Sequence, residues 1–103
     1  MKSTMLKLEL IDGSEVELTL NFARLLKVKN HNKKLYGEFM DSLKSKDFDV
    51  IFDSMKILYV AYLCANSANL DSVMSEEEFM ENVEMDMAVI NNLVAELIQA
   101  KKK

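Results

Sequence analysis

Residues 47–66 read DFDVIFDSMKILYVAYLCAN, and this stretch decides the fold. Its apolar residues Phe48, Ile51, Phe52, Met55, Leu58, Tyr59, Tyr62 and Leu63 recur at spacings of three and four, which marks one face of an α-helix. Asp49, Asp53 and Lys56 fall on the other side. Asp47 is placed to cap the start, because its carboxylate can accept from the N–H groups of the first turn. From residue 57 to 65 the pattern turns apolar nearly all round. Such a helix has to be covered on several sides, so it is expected at the centre of the molecule. On this phase Phe52, Met55 and Tyr59 are predicted to be buried, with Phe52→Ala costing about 3–5 kcal/mol.

Upstream, Leu6, Leu8 and Leu10 alternate with Lys7 and Glu9, and Val16, Leu18 and Leu20 alternate with Glu15, Glu17 and Thr19. Two half-buried strands explain this period of two. A two-residue Asp12-Gly13 loop would set Leu10 opposite Glu15. A three-residue loop, Ile11-Asp12-Gly13, pairs Leu8 with Val16 and Leu6 with Leu18, and gives Gly13 the bulge position that wants positive φ. Asn21 then caps a helix with Phe22, Leu25 and Leu26 on one face. The polar run Lys29 to Lys33 reads as a loop or a frayed helix end, and a second helix carries Leu35, Phe39 and Leu43. Downstream of the central helix, Ser75 with Glu78 fits a capping box ahead of Phe79, Met80 and Val83. Asp86 opens a last helix with Met87, Ile90, Val94, Leu97 and Ile98 spaced for burial. Lys101 to Lys103 would oppose its dipole. The fold class is therefore α+β: one domain, 1–103, with an N-terminal β-hairpin (4–20) and a mostly α-helical bundle of four to five helices, roughly 22–29, 32–44, 47–66, 75–83 and 86–101.

Half of the 103 residues are hydrophobic and prolines are absent, a globular composition that favours long helices. No run reaches the roughly 18 apolar residues of a membrane span. The opening MKSTMLKLEL alternates without an apolar block, so it is not expected to act as a signal peptide, and a cytoplasmic location follows as the default. Cys64 is single and sits among apolar neighbours, which points to an inert buried thiol. With His31 it cannot form a structural zinc site, and neither metal nor cofactor is expected. His31 lies among lysines and asparagines with no carboxylate near it in sequence, so no acid–base pair is suggested and no enzyme is expected.

Charge is segregated. From Ile57 to Ala100 there are eight acids and no Lys or Arg, within a net charge of −4. An acidic back half argues against nucleic acid as the main ligand, since phosphate binding needs clustered Lys and Arg. The basic residues Arg24, Lys27, Lys33 and Lys34 could instead meet Glu77, Glu78, Glu81 and Glu84 of a second copy, giving a homo-oligomer. Eight methionines is a high number, and several lie among the acids. Met74, Phe79, Met80, Val83, Met85 and Met87 are the candidate client-binding surface, adaptable because methionine is flexible and polarisable. Ordinary core packing is the competing explanation for the same residues.

The layout LKLELIDGSEVELTLNFARLLKV, then KDFDVIFDSMKILYVAYLCAN, then SEEEFMENV before a last amphipathic helix, resembles the tail assembly chaperones of long-tailed, siphovirus-type bacteriophages and prophages. The pieces that carry it are Ile11-Asp12-Gly13, Asp47-Phe48-Asp49 and Ser75-Glu76-Glu77-Glu78-Phe79. The resemblance implies binding to a tape measure protein, keeping its long apolar helices soluble, and promoting polymerisation of tail tube protein around it. It also implies self-association, a place in the cytoplasm of the bacterial host and absence from the mature virion. In this family a longer product often arises by ribosomal frameshifting, for which an A-rich stretch encoding Lys101-Lys102-Lys103 would serve. A small nucleic-acid-associated regulator and a structural virion connector are the alternative functions.

Overall fold

The computed structural model describes residues 5–44 and 51–102, with side chains as far as Ile98. Among these, two strands precede five helices: β1 (Leu6–Glu9), β2 (Glu15–Leu18), α1 (Phe22–His31), α2 (Lys33–Lys44), α3 (Phe52–Ala65), α4 (Glu76–Asn82) and α5 (Met87–Lys102). The fold is α+β, and none of the described helices is long and apolar enough to cross a membrane.

The hairpin takes the three-residue loop. Leu6 faces Leu18 and Leu8 faces Val16, while Leu10 N–H donates to Ser14 O at 2.8 Å. Gly13 adopts φ 90°, a region that residues with a Cβ occupy only at a cost. The Asp12 carboxylate accepts from the Ser14 hydroxyl at 2.6 Å and from its N–H at 2.9 Å, which fixes the turn and holds the Asp12 pKa below its ordinary value. Leu8, Leu10 and Leu18 are buried, and β2 rests on α3 through a 3.2 Å bond from Thr19 N–H to Ala61 O. On the other side, Ile11 N–H donates to Asn82 O at 2.9 Å and Leu10 bridges to Val83. The chain leaving α4 therefore runs beside the tip of the hairpin.

Asn21 caps α1, its Oδ1 accepting from Arg24 N–H at 3.1 Å. The polar run expected to be a loop or a frayed end is helical but for one residue, Asn32. Asn32 closes α1 with its N–H on Val28 O and opens α2 with its Oδ1 on Leu35 N–H. The buried face of α1 is also different: it is Leu25 and Val28, whereas Phe22 is 73% exposed and Leu26 56%. Both pairs have helical spacing, and contact with α2 and α3 selects one of them.

Every residue from Ile57 to Cys64 is buried, with β2, α1, α2, α4 and α5 packed around α3. Met55 and Tyr59 are buried as expected, but Phe52 is not: it is 64% exposed. In the first turn of α3 it is Ser54 and Met55 that turn inward, which leaves Phe52 on the outer side, while Asp53 accepts from the Ser42 hydroxyl of α2 at 2.9 Å. The expected cap Asp47 and the stripe residue Phe48 lie outside the described residues, as do the side chains of Lys101 to Lys103. Ser75 and Asp86 cap α4 and α5 as the sequence suggested, accepting from Glu78 N–H at 3.2 Å and Ala88 N–H at 3.1 Å.

Phe79→Ala is expected to cost about 3–5 kcal/mol in urea unfolding, because Phe79 is fully enclosed. Phe52→Ala should cost less than about 1 kcal/mol. Similar losses at the two positions would contradict this packing.

Candidate functional site

The first turn of α3, the end of α4 and the start of α5 converge on an open apolar groove. Buried Met55 and Ile90 form its floor. Half-buried Met80, Val83 and Met87 form the walls, and Phe52, Ile51 and Met85, which is 78% exposed, form the lip with Glu84. The groove measures about 130 Å³. Cofactor and drug-sized sites run to roughly 300–1,000 Å³, so this one suits a protruding side chain better than a small molecule.

Three kinds of interaction hold the α4 side in place. Phe79 stacks on Tyr62 at 5.2 Å between ring centroids and lies 5.5 Å from Tyr59. The Tyr59 hydroxyl donates to Met74 O at 2.8 Å, and Met74 N–H donates to the Tyr62 hydroxyl at 3.0 Å. Lys56 reaches Glu38 of α2 at 2.8 Å and Glu76 of α4 at 2.6 Å. Burial works to lower the Lys56 pKa, but bonding to the two carboxylates outweighs it and the net shift is upward. The same bond from Lys56 holds Glu38 below its ordinary value. On the far side, Val83 is extended (φ −92°, ψ 127°) and tied to the hairpin, so the link to α5 swings Met85 outward.

Of the residues singled out from sequence, Met80, Val83, Met85 and Met87 meet in the groove. Phe79 does not belong to a binding surface; it is a core residue, since the α4 face bearing it is turned onto the two tyrosines. Met74 stands apart, half-buried, with both backbone polar groups held by tyrosine hydroxyls. Met55, Ile90, Ile51 and Phe52 line the groove although sequence reasoning gave all four to the apolar faces that build the core. Their helical spacing carries no sign of where cover by other elements stops.

The charged residues also divide. Lys27, Lys33, Lys34, Glu77, Glu78, Glu81 and Glu84 are exposed. Arg24 is half-buried instead, its Nη1 donating to Cys64 O at 3.0 Å and Ser67 Oγ at 3.5 Å. It satisfies a carbonyl at the C-terminal end of α3. His31 Nε2 lies 3.2 Å from Asp71 Oδ1, both exposed, a pairing that spans forty positions and so leaves no local signal. Among the described residues no cluster of His, Cys, Asp or Glu could hold a metal ion. Cys64 is fully buried, and burial pushes its thiol up to about 12.

No family model, curated protein or solved structure matches this chain.

Burial raises the Tyr59 pKa to about 12 as well, from 10.0, and that of Cys64 from 9.0. A raised folded-state pKa gives stability that is complete below the unfolded value and lost as pH climbs to the folded one. Melting temperature should therefore fall between about pH 9 and pH 12. At pH 8 an alkylating reagent should modify Cys64 only as fast as the fold opens. Immediate labelling of the native chain would place the thiol at the surface.

Proposed function

We propose that this chain is a non-catalytic binding protein whose groove takes an apolar helical segment of another protein. It acts as a tail assembly chaperone: the client is a tape measure protein, and the outcome is client solubility and tail tube assembly in the bacterial cytoplasm. The observation that supports this reading is the groove itself, with half-buried Met80 and Met87 and exposed Met85 around a buried floor. A helix offers side chains at i, i+3 and i+4, and an apolar groove can receive them one at a time. Methionine walls re-pack around different side chains, which suits a protein that holds varied segments of a long client. Glu84 at the lip, with exposed Glu81 and Asp86 beside it in sequence, favours clients whose apolar stripe is flanked by Lys or Arg. Such binding is reversible by design, because the client must be handed on.

The test is co-expression with the client, scoring its soluble fraction and co-purification. Wild type should raise both, and Met85→Asp should reduce them, with Met80→Asp added in the same chain reducing them further. Met85 is exposed, so its variant should keep the wild-type circular dichroism spectrum. A folded double variant that still protects the client would remove the groove from the mechanism. Wild type that never associates with the client would remove the chaperone reading altogether.

A further inference from the structure

The sulfur atoms of this fold differ sharply in their access to water. Cys64 is fully buried and its thiol is pushed up to about 12, so it offers no thiolate to an oxidant. Among the described residues Met85 is the one exposed methionine, at 78%. Met80 and Met87 are half-buried beside it, and Met55 on the groove floor is 8% exposed. The most accessible thioether therefore stands at the lip of the groove, with two more in its walls.

We propose that Met85 is a site of reversible oxidation, and that its sulfoxide closes the groove to apolar side chains. The consequence for binding rests on the groove being a helix-binding site, but not on the identity of the client. The oxidant is a hydroperoxide, with hydrogen peroxide the simplest. The thioether sulfur attacks one peroxide oxygen and an S–O bond forms as the O–O bond breaks, so that sulfur is oxidised by two electrons. The proton on the transferred oxygen passes to the departing hydroxide, which leaves as water. The product keeps nearly the same shape but carries a strong S=O acceptor. Among the described residues that line the groove, only Glu84 has a polar side chain, and a carboxylate cannot donate to it. In the empty protein this matters little, because the 83–86 link carries Met85 outward and water solvates the sulfoxide. An incoming apolar side chain would have to bury the S=O group without a partner, which is unfavourable. Oxidation at the lip therefore acts on binding and not on folding. Reduction by methionine sulfoxide reductases returns the thioether.

The experiment treats the purified chain with graded doses of hydrogen peroxide and locates each added oxygen by peptide mapping. Binding is read by fluorescence anisotropy of a labelled model peptide, an amphipathic helix with leucines at i, i+3, i+4 and i+7 between flanking lysines. Within the groove Met85 should be oxidised first, Met80 and Met87 later, and Met55 only as the fold opens. Chain oxidised at Met85 but not at the other groove methionines should keep its circular dichroism spectrum and melting temperature. It should bind the peptide about 10- to 100-fold more weakly, the effect of burying one unpaired polar group. Reduction by methionine sulfoxide reductases A and B should restore binding. Met85→Leu keeps an apolar lip without sulfur, and should bind like wild type before and after the dose that oxidises Met85. Met85→Gln supplies a comparable polarity and should bind weakly without peroxide. The inference is overturned if another groove methionine reacts first, or if Met85→Leu loses binding at that dose. Peptide binding that survives oxidation of Met85 overturns it while leaving the groove a helix site. Untreated wild type that fails to bind the peptide overturns the groove reading, and this consequence with it.

Discussion

From Ile57 to Cys64 the chain has no polar face to show to water, so the rest of the fold is arranged as cover for one helix. Each neighbour supplies a single stripe: Leu8, Leu10 and Leu18 from the hairpin, Leu25 and Val28 from α1, Leu35 and Phe39 from α2, Phe79 from α4, and Ile90 to Leu97 from α5. Burying each such side chain contributes about 1.5–3 kcal/mol, and none of the covering elements would be stable alone. The same constraint explains Arg24. The last carbonyls of a helix have no partner within it, and Cys64 O, buried near the end of α3, accepts from the guanidinium of α1 as well as from Ser67 N–H.

α4 is the least self-sufficient piece, seven residues long, and the interactions fastening it are physically independent. Phe79 contributes by exclusion of water, the tyrosine hydroxyls by fixing the Met74 backbone, and Lys56 by joining α2, α3 and α4 through two carboxylates. Lys56 is mostly covered, so these pairs are less screened than surface ones, though part of their attraction is offset by lost hydration. The groove is thereby bounded by one wall fastened through α4 and by a lip carried on the 83–86 link.

The hairpin was legible because two signals agree: alternation demands Leu8 opposite Val16, and only a loop ending in Gly13 delivers it. Ser75 and Asp86 were legible because capping is local. The phase of α1 was not, since Phe22/Leu26 and Leu25/Val28 are equally good helical pairs and only tertiary contact chooses. Phe52 failed for a related reason: the first turn of α3 buries Ser54 and Met55, a phase that apolar spacing alone did not select. The groove was half legible. Methionines among acids pointed to Met80, Met85 and Met87, but the floor joins residues 55 and 90, which no short-range pattern connects. Phe79 was misplaced because an apolar residue beside acids looks alike whether it faces the core or water.

Single exposed apolar residues are ordinary on a chain this small, because there is too little polar surface to cover it. Their arrangement is what requires a physical account. The sequence keeps Lys and Arg out of the span from Ile57 to Ala100, and the fold turns that linear segregation into a spatial one, with acids beside the groove and lysines beside the α1 stripe. Two grooves brought face to face would set Glu84 against Glu84, and two α1 stripes would set Lys29 against Lys29. Like charges across such a contact would cost energy. Electrostatics would thus discriminate among apolar contacts that hydrophobic burial alone would not distinguish.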